Sequence, residues 1–234
     1  MAVPPSTVPE VIARLRTLET LRDDGVASFA RLYREVTEGV AAELAADRPV
    51  DPVFLERLDI RFAGLFFAAL EKPPPAWAPL FAARHRKKIA PLQFALAGVN
   101  AHINRDLPVA LVATCRELDR DLRAGSPEHA EFLRVNALLA RVEGRVKASY
   151  AKGWLGLAAR LLHRADRLDD VLAMWNVERA RDAAWANGVA LWQLRDQPDL
   201  SAEFLLALDR MVGLAGRGLL VPTGRLAGLV GLRL

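Results

Sequence analysis

The sequence has little cysteine and no long apolar run. Cys115 is the one cysteine among 234 residues, so the chain has no internal disulfide and no paired-cysteine spacing for zinc. No window of about 18 consecutive apolar residues occurs, so we expect no membrane span. The N-terminal residues 1–9 contain no apolar run of the secretory type. These absences favour a soluble protein in a reducing, cytoplasmic compartment.

The excess of basic over acidic residues is also small, although the sequence pI is about 9.6. The chain has 32 basic and 28 acidic residues, a formal net charge of +4. Its one basic cluster, residues 84–88, has no interleaved aromatic residue and no recognisable nucleic-acid motif. Because a surface of mixed sign focuses little field, we expect no nucleic-acid partner.

Several catalytic signatures are missing as well. The sequence has no glycine-rich phosphate loop, no nucleophile elbow and no HExxH motif. Nucleotide-dependent chemistry, serine hydrolysis of the elbow type and structural zinc are therefore disfavoured. Cys115 has no histidine near it in the sequence, so it is not expected to be a nucleophile.

Strand signals are scarce, whereas helix signals are frequent. Asp51-Pro52 and Ser126-Pro127 each place a capping residue before a proline at the first helical position. The sequence therefore predicts an all-α, single-domain multi-helix bundle around a buried central helix at about 89–106. The predicted helices are 8–22, 26–46, 52–71, 77–83, 89–106, 109–123, 127–150, 154–164, 168–195 and 200–215. One domain is predicted over 1–234, with an N-terminal extension, 1–7, and an irregular apolar C-terminal strap, 216–234.

The predicted central helix contains no charged residue from Ile89 to Asn104. A helix that is apolar on every side is normally buried on every side, so its few polar residues need internal partners. At about 100° per residue, Gln93, Asn100 and Asn104 fall within roughly 40° of one another. The sequence thus predicts an amide stripe on one face of this helix.

His102 lies on the opposite face, and Asp106 follows one turn later. This spacing lets the imidazole and the carboxylate approach each other. The pair suits a general base oriented by a carboxylate, or two metal ligands from one helix. A third interpretation is structural, because Asp106 precedes Pro108 and ends the predicted helix beside a satisfied core histidine.

A second polar group interrupts the predicted helix 168–195. On a helical wheel, four side chains of this segment fall within about 40° of the direction of Val171: Trp175, Glu178, Asp182 and Trp185. Two carboxylates therefore share a face with two tryptophans. Buried acidic side chains are usually paired, and the sequence offers Arg61, Arg179 and Arg181 as partners, or a metal or cationic ligand from outside. The structural alternative is a buried ion-pair network that joins Asp59 or Asp182 to Arg61 or Arg181.

Four segments resemble a bacterial family catalogued as domain of unknown function 5995. They are DGVASFARLYREVT at 24–37, LDIRF at 58–62, QFALAGVNAHINRDLP at 93–108 and RARDAAW at 179–185. The resemblance covers about residues 20–222, and its most specific block is NAHINRDL at 100–107. It implies a helical, mainly actinobacterial protein and carries no known activity.

The segment from His102 to Asp106 is also similar to the His-x3-Asp helix of zinc-dependent phospholipase C and P1-type nucleases, which are all-α. Those enzymes carry further histidines just after the aspartate, whereas residues 109–115 contain none. The similarity therefore implies at most one histidine with carboxylates, a set that favours a harder divalent metal such as Mn or Fe.

Three functions follow, and the first is favoured. It is an enzyme that acts on a small, largely apolar organic molecule by acid–base chemistry, through cyclisation, isomerisation or hydrolysis. The alternatives are a metal-dependent, phosphoesterase-like hydrolase and a non-catalytic helical binding protein. The candidate catalytic residues are His102, Asp106, Asn100 and Asn104; the candidate substrate-binding residues are Arg61, Gln93, Trp175, Arg181 and Trp185; the candidate ligands of a divalent metal are His102, Asp106, Glu178 and Asp182. The expected partner is the small molecule, and the sequence gives no oligomeric state.

Overall fold

A computed structural model describes residues 4–46, 51–135 and 177–222, and every regular element in these ranges is a helix. The predicted all-α class is confirmed. The helices are α1 (Val8–Leu21), α2 (Gly25–Ala46), α3 (Pro52–Glu71), α4 (Ala78–Ala83), α5 (Pro91–Ala101), α6 (Leu107–Glu117), α7 (127–135), α8 (Val177–Gln193) and α9 (Pro198–Leu219). Within these ranges, no helix is long and apolar enough to cross a membrane.

The two proline-marked helix starts are confirmed by their caps. Asp51 Oδ1 accepts a hydrogen bond from the Phe54 amide at 3.0 Å, and Ser126 Oγ accepts one from the His129 amide at 3.2 Å. Each cap satisfies an amide that has no partner inside its helix.

Several predicted helix boundaries differ from the structure, and parts of the predicted elements lie outside the described residues. Helix α6 ends at Glu117 instead of 123, and α9 begins at Pro198 instead of 200. Helix α9 also continues to Leu219, so the first four residues of the predicted strap are helical. Outside the described residues lie the predicted helix 154–164, parts of two other predicted helices (136–150 and 168–176), and residues 223–234 of the strap.

The largest difference concerns the central helix, which does not stop before Pro108. Helices α5 and α6 are joined without a break by a π-helical segment, His102–Asp106. In it the Leu107 amide donates to the His102 carbonyl, five residues back. Pro108 has no amide hydrogen to donate, and its ring crowds the carbonyl four residues before it. A locally widened turn accommodates both features within a continuous helix. The central helix is therefore longer than predicted, and the π segment lies near its middle.

The π segment lies where two hydrophobic clusters meet. One cluster surrounds Phe29, Phe66 and Trp77, and it involves α1, α2, α3, α4, α5 and α9. The other surrounds Phe54 and Leu111, and it involves α3, α6, α7 and α8. Helix α5 packs on α2 and α9, α6 packs on α3 and α8, and the π segment contacts α3, α8 and α9. Polar groups on this segment are thus enclosed by helices from both halves.

One close approach in the first cluster depends on glycine. A Cβ atom added to Gly98 would lie 2.3 Å from a ring carbon of Phe29, which is shorter than any ordinary contact. Gly98 therefore lets α5 pack directly against the aromatic face of α2 and fixes the distance between the two helices.

Candidate functional site

His102 and Asp106 form the buried polar pair that their spacing predicts. The imidazole Nδ1 lies 3.0 Å from Asp106 Oδ2, and both side chains are buried. Asp106 Oδ2 also accepts from the Trp77 indole at 2.9 Å, and Oδ1 accepts from Arg105 at 3.0 Å. The carboxylate is thus held by three donors, which offset the cost of removing it from water.

This network fixes the protonation of the imidazole. Burial lowers the pKa of His102, while the hydrogen bond to Asp106 opposes that shift. The ring is therefore neutral at neutral pH. Because Asp106 accepts, the ring proton lies on Nδ1, and Nε2 keeps its lone pair. Among the described residues, Nε2 has no hydrogen-bond partner.

Aromatic rings enclose the imidazole, so it does not face bulk solvent. His102 is only 2% exposed. The Phe62 ring stacks on it with centroids 3.5 Å apart and planes 8° apart, and the Tyr33 ring packs edge-on with centroids 4.6 Å apart.

A cavity of about 70 Å³ lies on the other side of those two rings. It is smaller than the roughly 150 Å³ cavity that accommodates benzene. Its walls come from α2, α3, the start of α6, α7 and α8. They are lined by Tyr33, Val36, Thr37, Phe54, Leu55, Leu58, Asp59, Phe62, Leu107, Glu131, Phe132, Val135 and Arg181. Tyr33 and Phe62 therefore contact His102 and also line the cavity.

Two residues that line the cavity each have a buried polar atom with no hydrogen-bond partner among the described residues. These atoms are Asp59 Oδ2 and the hydroxyl oxygen of Tyr33, and both are inaccessible to solvent. The Asp59 residue as a whole keeps partial exposure, but its unpartnered oxygen does not. Desolvation raises the pKa of Asp59 to about 6, and burial together with the Asp59 and Asp106 charges raises the pKa of Tyr33. The carboxyl group is therefore half-protonated near pH 6 and mainly ionised at pH 7.

The other two charged groups in the wall have different surroundings. Glu131 is fully buried; it accepts from Arg134 at 2.8 Å and from the Asp51 amide at 3.2 Å. The Arg181 guanidinium lies over the Phe132 ring, 4.4 Å from its centroid, and burial lowers its pKa to about 9. Arg181 therefore stays charged at neutral pH and is the predicted substrate-binding residue that the structure places in the cavity wall.

The predicted amide stripe faces helix α9 instead of the cavity. Gln93 donates to the Leu219 and Val221 carbonyls at 2.8 and 2.9 Å, and Asn100 donates to the Val212 carbonyl at 2.9 Å. Asn104 donates in turn to Asn100 at 3.2 Å. Gln93, Asn100 and Asn104 thus share a face as predicted, but their observed contacts hold α9 against α5.

The buried face of α8 differs from the prediction. Asp182 is exposed, whereas Arg181, Ala184 and Trp185 are buried. The buried positions continue along 188, 191 and 192, so the helix is rotated by about one residue from the predicted phase. Packing of the small residues 184 and 188 against α6 fixes this rotation. Trp185 stacks on His129 with ring centroids 4.6 Å apart and does not line the cavity.

Arg61 does not reach the cavity or the predicted buried network. Its side chain is 52% exposed and pairs with Glu117 at 2.6 Å. Asp182 is exposed and Asp59 Oδ2 is unpartnered, so neither forms the predicted buried ion pair with Arg61. Trp175 and the Glu178 side chain lie outside the described part of the chain.

No group of three metal-ligating side chains occurs within the described residues. His102 and Asp106 are together, but Asp182 is exposed on α8. Cys115 is buried, which raises the pKa of its thiol to about 12, and this fits the expectation that it is not a nucleophile.

Sequence reasoning missed the two unpartnered wall residues as site candidates. Asp59 carried a signal, because it falls on the same side of α3 as Phe62 and Phe66, yet it was interpreted only as a member of an ion pair. Tyr33 gave no separate signal, since it lies in the apolar stripe of α2 with Phe29. Periodicity shows which side of one helix is buried, but a cavity forms between several helices.

The comparisons with known proteins give one match. A family model described as a family of unknown function, DUF5995, matches residues 8–222. No curated protein and no solved structure matches the chain. The match covers most of the sequence, including the π segment and the residues that line the cavity. The chain therefore belongs to the DUF5995 family.

Proposed function

We propose that this chain is an enzyme that acts on a small, largely apolar organic molecule by acid–base chemistry in the cavity beside Tyr33 and Asp59. The observation that carries the proposal is a mainly apolar cavity lined by Asp59 and Tyr33, each of which has a buried oxygen with no hydrogen-bond partner among the described residues. An apolar cavity with a few convergent polar groups is the usual form of a small-molecule site. Cyclisation, isomerisation and hydrolysis all fit such a site.

Asp59 is the proposed proton-transfer group. Its pKa, raised to about 6, lies near neutrality, where a carboxyl group can both release and accept a proton. The Tyr33 hydroxyl lines the same cavity and can hydrogen-bond a substrate oxygen or nitrogen.

His102 is assigned a positioning role instead of direct proton transfer. Its imidazole stacks on Phe62 and packs against Tyr33, so it fixes both rings that separate it from the cavity. Asp106 and Trp77 in turn fix the imidazole. Asn100, which donates to α9, and Asn104, which donates to Asn100, are proposed to support the fold.

A non-catalytic binding protein is the second candidate. The enclosure of His102 at 2% exposure favours it, because an imidazole that no substrate reaches does not transfer a substrate proton. The two candidates share the cavity and differ in whether the bound molecule is changed.

Turnover of a cell extract separates the two candidates. Wild-type protein and the Asp59→Asn variant would each be incubated in deuterated water with small molecules extracted from the organism that naturally makes the protein. Mass spectrometry should show at least one molecule that wild type consumes or labels with deuterium and that Asp59→Asn leaves unchanged. The exposed Glu56 on the same helix offers the matched control, because Glu56→Gln removes one surface carboxylate and should retain the activity. Equal consumption by Asp59→Asn would contradict the assignment of Asp59, and no change with wild type would favour the binding protein.

A further inference from the structure

Helix α9 has an apolar side that faces away from the core. Its inner side packs on α4 and α5 and includes the buried residues Leu208 and Val212. On the outer side, Met211 is 70% exposed and Leu214 is 65% exposed. Single exposed apolar residues are ordinary, but a row of them along one helix indicates an interaction surface.

The outer row has the spacing of a coiled-coil seam. From residue 200 onward, apolar residues or glycine recur after steps of four, three, four, three and four residues. At about 100° per residue, all six positions lie within about 40° of the direction of the first. This alternation lets two helices pack along a shared seam. The six residues are Leu200, Phe204, Ala207, Met211, Leu214 and Gly218, and all except the partly buried Phe204 are exposed.

The charged residues beside this seam lie on one flank only. Glu203, Arg210 and Arg217 follow one another at intervals of seven residues, so they share one heptad position. All three are exposed, and none forms an ion pair within the described part of the chain. The opposite flank of the seam carries no charged residue. Charges beside a seam decide which helix pairs with it and in which direction.

This charge pattern fits an antiparallel second copy of the same helix. In a two-fold antiparallel pair, the charged flanks of the two copies face each other, and Glu203 of one copy lies opposite Arg217 of the other. The symmetry repeats this pair, so two opposite-charge contacts form. A parallel pair would place the charged flank against the uncharged one and form neither contact.

The same register also matches large side chains with small ones. With Glu203 opposite Arg217, the seam layers place Leu200 opposite Gly218 and Met211 opposite Ala207. Each small residue leaves room for the large residue of the other copy, so the two helices can approach closely.

We propose that the outer face of α9 pairs with the same face of a second copy of this chain and forms an antiparallel, two-fold symmetric dimer. Helix α9 has 22 residues, and it is the one helix that each copy contributes to this seam. The contact is therefore smaller than a standard interface of about 1,600 Å², and we expect a Kd of roughly 10–100 µM. Arg210 lies near the two-fold axis and faces its own copy, which lowers the affinity further.

Sedimentation equilibrium of the full-length protein between about 5 and 500 µM tests the dimer, because this range brackets the expected Kd. Leu214→Glu should raise the Kd at least about tenfold, because it places a carboxylate in the apolar seam. Leu21→Glu is the matched control: Leu21 is 79% exposed on α1, so its replacement should leave the Kd unchanged. Far-UV circular dichroism should show equal helix content in all three proteins. A wild type that stays monomeric, or equal Kd values for Leu214→Glu and wild type, would contradict the dimer.

Charge reversal tests the antiparallel register. Glu203→Arg and Arg217→Glu should each raise the Kd by about three- to tenfold, since each sets like charges opposite one another in both symmetric contacts. The double variant Glu203→Arg/Arg217→Glu restores opposite charges and should return the Kd to within about threefold of wild type. Arg210→Gln should lower the Kd by removing the repulsion at the axis. A double variant as weak as the single ones would show that these residues do not face each other, and the proposed pairing would be wrong.

Discussion

Replacing Asp106 with alanine should destabilise the protein by about 3–5 kcal/mol, enough to unfold many single domains. The carboxylate accepts from Trp77, His102 and Arg105, and it has no exposed surface. Alanine would leave the indole and imidazole donors without a partner and would remove one of the two carboxylates that pair with Arg105, the other being Asp209. Urea unfolding, followed by far-UV circular dichroism, measures the loss of free energy.

Two further variants show whether the loss comes from this network. Trp77→Phe removes one neutral donor and keeps the aromatic packing, so it should cost only about 1–3 kcal/mol. Asp182→Ala removes a carboxylate from an exposed position and should change stability by less than about 0.5 kcal/mol. A loss below about 1 kcal/mol in Asp106→Ala would mean that the three donors find other partners and that the network does not anchor the site.

Asp59→Asn should remove a pH dependence of stability that the wild type possesses. The pKa of Asp59 is raised from 3.8 to about 6 in the folded state, so between these values the folded protein binds more protons than the unfolded chain. Wild-type stability is therefore greatest, with respect to this group, below about pH 4 and falls as the pH rises through about 6. The pKa shift corresponds to a difference of about 3 kcal/mol in the free energy of unfolding. This is an upper limit, because Asp59 keeps partial exposure to solvent.

Measuring stability at two pH values separates the effect of the Asp59 titration from any change in packing that the asparagine amide causes. Relative to wild type, Asp59→Asn should be more stable at pH 7.5 than at pH 4 by up to about 3 kcal/mol. The lowered pKa of His102 makes stability fall as the pH drops below its ordinary value of 6.5, but this contribution is common to both proteins and cancels. Glu56→Gln should show no such difference between the two pH values. If the stability difference between Asp59→Asn and wild type does not change with pH, the wild-type Asp59 carboxyl group lies in water or beside a cation.

The fold was predictable because its signals are local. Asp51-Pro52 and Ser126-Pro127 mark helix starts through contacts within four residues, and the uncharged stretch from 89 to 104 marks a buried helix in any arrangement. The continuation through Pro108 was not predictable, because a proline normally ends or kinks a helix and only the surrounding packing makes the π turn favourable.

The candidate site likewise has local contacts that were predictable and long-range contacts that were not. The contact between His102 and Asp106 lies within one turn, so spacing alone predicted it. The partners of Gln93 and Asn100 in α9 lie more than 100 residues away, so spacing predicted the shared face of these two residues but not the helix that covers it. The cavity needs residues from α2, α3, α7 and α8 together, so neither Asp59 nor Tyr33 could be placed in its wall from periodicity.

The central claim is that Asp59 lines a mainly apolar cavity and that its carboxyl group has no ion-pair partner within the described part of the chain. A carbon-13 NMR titration of the aspartate side-chain carboxyl carbons tests it directly, with Asp59→Asn identifying the resonance. The account predicts a midpoint at about pH 6 for Asp59. A midpoint near the ordinary value of about 4 or below would show that water or a cation stabilises the carboxylate, and would contradict the account.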